Sequence, residues 1–182
     1  MFRTAGVAVM MSLVALAVVA AERPDETKLI AIIASDAPPQ DKAIPCKQLA
    51  VYGTKAAVPA LAALLPNAEL SSWARIALEA IPDPAADEAL RDALGKVQGR
   101  LLVGVINSLA VRRDAKATDA LIARLKDPDA EVASAAAEAL GRIGGDQATG
   151  ALVPMLAPAP PPLRPDVAYG CILCAERRLA EG

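Results

Sequence analysis

Apolar residues between positions 41 and 156 recur at the spacing of one face of an α-helix. Four stretches align on a leucine, and these leucines lie about 30 residues apart, a period typical of helical repeat proteins. Four further columns, eight, eleven, twelve and sixteen positions later, each hold one residue type in all four copies. The five columns are Leu49, Leu78, Leu109 and Leu140; Ala57, Ala86, Ala117 and Ala148; Ala60, Ala89, Ala120 and Ala151; Leu61, Leu90, Leu121 and Leu152; and Leu65, Leu94, Leu125 and Leu156. Five columns at fixed spacing predict a repeated structural unit.

The columns also predict what the unit is. The last four fall at i, i+3, i+4 and i+8, which is one helix face, and the first leucine lies near the end of a preceding helix. Turn residues separate the two, as at Gly53, at Asp114 and at Gly144 with Gly145. A single helical hairpin cannot bury its apolar face, so the units must stack on one another. The predicted fold class is therefore all-α, an α-solenoid of stacked antiparallel helical hairpins.

The pattern divides the chain into consecutive segments. We expect Asp41, Asp83 and Asp127 to cap helix starts, with Pro84 and Pro128 at first helical positions. The predicted segments are a signal peptide at 1–21; an N-terminal helix (25–34) and linker within 22–40; four hairpins within 41–156 (41–52 with 54–65, 69–80 with 84–95, 97–112 with 115–126, and 128–143 with 146–156); a proline-rich connector at 157–165; and a C-terminal helix within 166–182, which also fits the start of a truncated fifth repeat.

The first 21 residues have the pattern of a secretory signal peptide. Arg3 supplies the positive charge, an apolar run follows, and small residues at Ala20 and Ala21 precede the polar stretch "ERPDE". The expected location is therefore outside the cytoplasm, in a bacterial periplasm or the extracellular space, with no membrane span once the leader is removed. The alternative is an uncleaved anchor, although a spanning helix needs about 20 apolar residues and this run is shorter.

Composition narrows the possible chemistry. Apolar residues make up 54% of the chain but aromatic residues only 2%, which favours close packing of small aliphatic side chains. The chain contains no histidine, so a Ser-His-Asp triad, an HExxH zinc site and a CxxCH haem attachment are excluded. Catalysis by carboxylates, lysine or a Ser-Lys pair stays formally open. The net charge of -2 without a basic stripe argues against nucleic acid as a partner.

A cysteine pair and an arginine pair interrupt the repetitive pattern. Cys171 and Cys174 form a CxxC motif, but it lies within an apolar predicted helix with no second Cys or His pair, which favours structural thiols over a metal or redox site. Arg112 stands where two other repeats have isoleucine, and Arg113 follows it. These arginines are candidates for contacting an acidic protein partner. The alternative is favourable charge at a helix C-terminus, typically worth about 0.3–1 kcal/mol.

Trp73 is the only tryptophan of the chain. An exposed tryptophan would be a candidate anchor for a protein partner. Its helical spacing to Ile76 and Ala77 favours a core or half-buried position instead. We therefore keep Trp73 with Arg112 and Arg113 as tentative protein-binding residues, and we expect no catalytic, cofactor or metal site.

The stretch "DPDAEVASAAAEALGRIGGDQATGALVPML", residues 127–156, resembles the short HEAT-like repeat of bacterial proteins that is also called PBS-lyase HEAT-like. "CKQLAVYGTKAAVPALAALL" and "SSWARIALEAIPDPAADEAL" are further similar to exported HEAT-repeat proteins of Verrucomicrobia-type bacteria. The resemblance implies an α-solenoid of the armadillo/HEAT type that binds proteins. Some members act in bilin attachment, and another group hydroxylates a modified lysine with iron held by His-Glu pairs. The second activity cannot transfer to a chain without histidine.

These observations favour a non-catalytic protein-interaction scaffold that is exported from the cell and is not an enzyme. We expect its partner to bind a concave face lined by the second helices of the hairpins. One alternative is a lyase-like accessory or chaperone for a cofactor-bearing protein, which would need a deep polar pocket. Another is the repeat fragment of a larger enzyme.

Overall fold

The computed structural model describes residues 23–181, without the side chains of the last residue, so the predicted signal peptide lies outside the described residues. Ten helices follow one another and no strand occurs within this range. Short 3-10 turns precede α3 and α7 and follow α9. The helices are α1 (Glu26–Ala34), α2 (Pro39–Tyr52), α3 (Val58–Ala63), α4 (Ser71–Ala80), α5 (Pro84–Ala93), α6 (Gly99–Arg112), α7 (Thr118–Arg124), α8 (Ala130–Ile143), α9 (Gly145–Leu152) and α10 (Arg164–Glu181).

The helices form two layers. In one layer, α2, α4, α6, α8 and α10 each pack against the next, and we call this the first-helix layer. The second-helix layer contains α3, α5, α7 and α9, with α3 against α5 and α7 against α9. At the ends of the array, α1 packs on α2, and α10 packs on α8 and α9 as the first helix of a fifth unit would. The predicted all-α solenoid of stacked hairpins is confirmed.

The core lies between the layers and is built from the repeat columns. The columns headed by Leu49, Ala57 and Leu61 are fully buried in all four units. The column headed by Leu65 is buried in three units, and its fourth member, Leu156, is half-buried. Burying one leucine side chain is worth about 1.5–3 kcal/mol, so each leucine of these columns contributes to the stability of the array.

The helix starts differ in part from the prediction. Asp83 caps α5 by accepting a hydrogen bond from the Ala85 N–H at 2.9 Å, as expected. Asp127 does not cap α8; Asp129 does, and Pro128 therefore precedes the helix. The carboxylate of Asp127 instead accepts the N–H of Asp129 and pairs with Arg124, which forms a turn before the helix begins.

The prediction of Asp41 as a cap is wrong as well. The helix α2 begins at Pro39, so Asp41 lies inside its first turn. Proline is well suited to a first helical position because the N–H that it lacks would have no intrahelical partner. The expected break at "SDAPPQ" is correspondingly shorter than predicted.

Neighbouring units are held together by polar contacts as well as by the core. Between α4 and α6, Arg75 donates hydrogen bonds to the Gly104 carbonyl at 3.0 Å and to the Ser108 hydroxyl at 3.1 Å. A Cβ at Gly104 would lie 2.7 Å from the Arg75 Nε, so the glycine leaves room for this arginine. Between α8 and α10 the glycines instead allow the two backbones to come together. A Cβ at Gly141 would lie 2.7 Å from the Cα of Gly170.

Candidate functional site

The first-helix layer exposes large apolar side chains on the side that faces away from the core. Positions five before, two before and two after the register leucine share that face, because they are three and four residues apart. On α2 these positions include Ile44 and Val51, which is 70% exposed. On α4 they include Trp73, which is 37% exposed, and Ile76. On α6, Val111 is exposed at the corresponding position.

The second-helix layer has a different surface. The exposed side chains of its helices are short or polar, such as Ala63, Glu88, Ala120 and Gln147, and Val153, directly after α9, is an exposed large apolar residue at its edge. A depression between α3 and α5 has a volume of only about 150 Å³. Two depressions of about 710 and 790 Å³ lie instead along α6, α8 and α10 of the first-helix layer. This placement differs from the expectation that the second helices would line the binding face.

The two depressions follow one another along α8, and we call them together the α8 furrow. Both are walled by α6, by Val103 and Asn107 in one and by Ala110 and Val111 in the other. Small residues of α8, such as Ala130 and Ala135, line the floor of the carboxylate end, whereas Ser134 and Gly141 face α10. The furrow thus runs along α8 between α6 on one side and, on the other, α10 and the proline-rich connector before it, which lines the carboxylate end at Pro160, Pro162 and Leu163.

One end of the furrow is acidic. This carboxylate end has a volume of about 790 Å³ and combines apolar lining residues, among them Val103, Met155 and Leu163, with four carboxylates. The carboxylates are Asp127, Glu131, Glu138 and Asp166. The hydrogen bond from Asp129 N–H, and next the one from Arg124, hold the pKa of Asp127 below its ordinary value. Ser134 donates a hydrogen bond to Asp166, which ties α8 to α10. Lys126 is the one cation among the residues that line this depression.

The other end is basic. This arginine end has a volume of about 710 Å³ and is lined by Arg113, Arg142 and Arg177, with Glu176 as the one carboxylate among its lining residues. Arg113 follows α6 with a left-handed backbone (φ 53°). Arg177 donates a hydrogen bond to the Arg142 carbonyl at 3.4 Å, which ties α10 to α8. Apolar surface between the guanidinium groups comes from residues such as Val111 and Leu173.

An ion pair joins the two ends. Arg142 donates to the Glu138 carboxylate at 2.6 Å, and Glu138 lines the carboxylate end while Arg142 lines the arginine end. Both side chains are more than a third exposed, so the pair is screened by water and contributes at most about 0.5 kcal/mol to stability. Either group can therefore exchange its partner for one on another molecule at little cost.

The structure separates the three predicted site residues. Arg112 points into the array: it donates to the carbonyls of Leu78 at 2.8 Å and Ile81 at 2.7 Å and pairs with the Asp87 carboxylate. Its side chain is only 11% exposed, which favours the structural interpretation of this residue. Arg113 lines the arginine end of the furrow, whereas Trp73 lies outside the furrow on α4.

Sequence reasoning missed Arg142 and Arg177, which complete the arginine end. The repeat alignment could have identified Arg142. This residue stands two positions after the register leucine, at an outward position where the other units have the uncharged residues Val51, Ala80 and Val111. No comparable signal existed for Arg177. Its proximity to Arg142 depends on how α10 stacks on α8 outside the four aligned repeats.

The cysteines have the surroundings of structural thiols. Burial raises the pKa of the Cys46 thiol to about 11. Burial, and next the charge of Cys174, also raises the pKa of Cys171. A reactive cysteine needs a lowered pKa instead. Between residues 23 and 181, no group of three or more His, Cys, Asp or Glu side chains is arranged to hold a metal ion.

Comparison with known families gives one match. Residues 100–169 match the family model of HEAT repeats, a range that runs from α6 into α10 and contains most of the α8 furrow. A search of curated proteins finds no match to the chain. The family match supports a HEAT-like repeat protein, and a HEAT repeat indicates a protein-interaction scaffold in general. Within the described part of the chain, no helix is long and apolar enough to cross a membrane.

Proposed function

We propose that the chain is an exported, non-catalytic scaffold that binds a protein partner through its first-helix layer. The observation that supports this most strongly is the exposure of Ile44, Val51, Trp73, Ile76 and Val111 on one side of the array. Single exposed apolar residues are normal, but several on one side are typical of an interaction surface. Aromatic residues are also enriched where protein interfaces contribute most to affinity.

The export part of the proposal rests on the leader sequence alone. The positive charge at Arg3, the apolar run and the small residues at Ala20 and Ala21 are its support. Fractionation of the source cells, followed by N-terminal sequencing of the isolated chain, tests it. A mature chain that begins near residue 21 or 22 outside the cytoplasm supports export. An intact N-terminus on a cytoplasmic chain refutes it.

The non-catalytic part is supported by the family match and by the open form of the depressions. HEAT repeats are usually non-enzymatic scaffolds. A lyase-like accessory would need a deep polar pocket, whereas the α8 furrow runs along an outer surface and is lined by exposed residues such as Val111 and Tyr169.

Site-specific photocrosslinking in the source cells tests the binding side. A photoreactive phenylalanine analogue is placed at Trp73 or Val111 on the first-helix layer, and at Ala63 or Gln147 on the second-helix layer as matched controls. We expect one crosslinked protein species from the first two positions and none from the controls. The same species should weaken when Ile76→Asp is added to the chain with Val111 labelled. Crosslinks confined to Ala63 and Gln147, or their absence everywhere, would refute the proposal.

A further inference from the structure

We propose that the α8 furrow binds an amphipathic α-helix of the partner, running antiparallel to α8, with acidic residues at its N-terminal end and basic residues at its C-terminal end. The acidic end lies over Arg113, Arg142 and Arg177, and the basic end over Asp127, Glu131 and Asp166. This inference rests on the proposed scaffold function and specifies the chemistry of the partner.

The shape of the furrow fits a helix. The helix α8 has 14 residues, and a helix of that length rises about 21 Å. The two depressions lie in sequence along it, with α6 as one wall and with α10 and the proline-rich connector as the other. Small residues at Ala130 and Ala135 keep the floor of the carboxylate end low, and the exposed Glu138–Arg142 pair is the part of the floor that a second helix lying over α8 would contact. Apolar lining from Val103, Val111 and Leu163 provides contacts for leucine-type residues at i, i+3, i+4 and i+7 of the bound helix.

The charges of the furrow set the direction of the bound helix. The arginine end carries three guanidinium groups against Glu176, and the carboxylate end carries four carboxylates against Lys126. Since Arg142 and Glu138 pair with each other, two guanidinium groups and three carboxylates are left outside that pair. A helix is itself most stable with acidic residues in its first turn and basic residues in its last. Such a helix matches the furrow only when its N-terminus lies at the arginine end. The antiparallel direction also places its dipole opposite to that of α8.

The same charges could instead serve to stabilise α8 itself, and the experiment must distinguish this role from binding of a partner helix. Arg142 lies in the last turn of α8 and Glu131 in its first turn, where each complements the dipole of that helix. This internal role predicts an effect on stability when the charges are reversed. It predicts no effect on which of two peptides binds.

The test uses two synthetic 18-residue peptides with the same composition and the same leucine stripe. One has three Glu in its first turns and three Lys in its last turns, and the other has these charges exchanged. Both carry an identical hydrocarbon crosslink on the outer face, so that their helix content is equal by circular dichroism. Binding of each labelled peptide to the full mature chain is measured by fluorescence polarisation at low salt.

We expect the acidic-to-basic peptide to bind about tenfold more tightly than the exchanged one, because exposed ion pairs are weak individually but add up at the two ends. The double variant Arg113→Glu/Arg142→Glu should reverse this preference. Glu131→Lys, at the opposite end, should reduce it without touching the arginine end. Lys47→Glu, an exposed charge change on α2, is the matched control and should leave the preference unchanged. Salt at about 0.5 M should remove most of it.

Three results would overturn the inference. The first is equal binding of both peptides, and the second is no binding of either at millimolar concentration. The third is a dimer of the chain that Glu131→Lys dissociates, which would identify a second copy as the occupant. The crosslinking experiment at Trp73 and Val111 is independent of these peptides. It can therefore succeed when the peptides do not bind as expected, so failure of the helix inference can be distinguished from failure of the proposed scaffold function.

Discussion

Replacing Arg112 with isoleucine should destabilise the protein, although isoleucine is what two other repeats have at this position. The aligned residues are Ile81 and Ile143, so the repeat pattern alone favours Arg112→Ile as a stabilising change. The contacts of the guanidinium group predict the opposite result. The group satisfies carbonyls at the end of α4, which have no partner within their own helix, and it holds Asp87 on α5.

The size of the effect follows from these contacts. A hydrogen bond to a charged group contributes about 1.5–3 kcal/mol net, and removing one partner of a buried pair costs about 3–5 kcal/mol. Asp87 is 22% exposed, so water can solvate it in part after the arginine is lost, which lowers the cost. The added isoleucine recovers about 1 kcal/mol of apolar burial. We therefore expect a net loss of about 2–4 kcal/mol in the free energy of unfolding.

Urea denaturation of the purified protein measures this loss, followed by circular dichroism and by the fluorescence of Trp73 on the neighbouring α4. The control is Arg113→Gln, one residue away but on the exposed furrow, which should change stability by less than about 0.5 kcal/mol. A double-mutant cycle with Asp87→Ala should give a coupling of about 1–3 kcal/mol. An Arg112→Ile variant as stable as the parent, or more stable, would refute the structural role assigned to this arginine.

Two further predictions concern packing and a buried thiol. Gly170→Ala should destabilise the array by about 1–2 kcal/mol, because its Cβ would lie 2.6 Å from the Ala137 carbonyl oxygen. Gly150→Ala has open space around it and should stabilise α9 by about 0.5–1 kcal/mol. Thermal unfolding compares the two variants, and a change of stability in the same direction for both would contradict the close approach of α8 and α10. The thiol of Cys46 has a pKa of about 11, above its ordinary value of 9.0. Between pH 9 and pH 11 the folded state therefore binds more protons than the unfolded state, so the free energy of unfolding should fall as the pH rises through this range. Urea midpoints across that range check this, and a Cys46→Ala variant with the same pH dependence contradicts it.

The fold could be predicted because the positions that determine it repeat. The register leucines are identical in four units and all are buried, so composition and spacing were enough to identify the hairpin and its stacking. Local exceptions came from competition between neighbouring residues. At "DPD", two carboxylates were available to cap α8, and Asp127 was already engaged by Arg124.

The candidate site could be predicted only in part because it lies at positions that vary between units. Arg113 was identified, but its neighbours Arg142 and Arg177 lie on two other helices and meet it only after the units stack. The inward direction of Arg112 was not predictable either, since its partner Asp87 lies on the second helix of the preceding unit. A repeat alignment shows which positions face the core, but it does not show which exposed positions lie together.

The most direct test of the binding side is a map of amide chemical shifts in the ¹⁵N-labelled protein as the acidic-to-basic helical peptide is added. We expect the shifted resonances to follow the furrow, from 103 to 111, from 131 to 142 and from 166 to 177. Resonances of α3 and α5 in the second-helix layer should stay in place. Shifts concentrated in α3 and α5, with the furrow unchanged, would contradict binding through the first-helix layer.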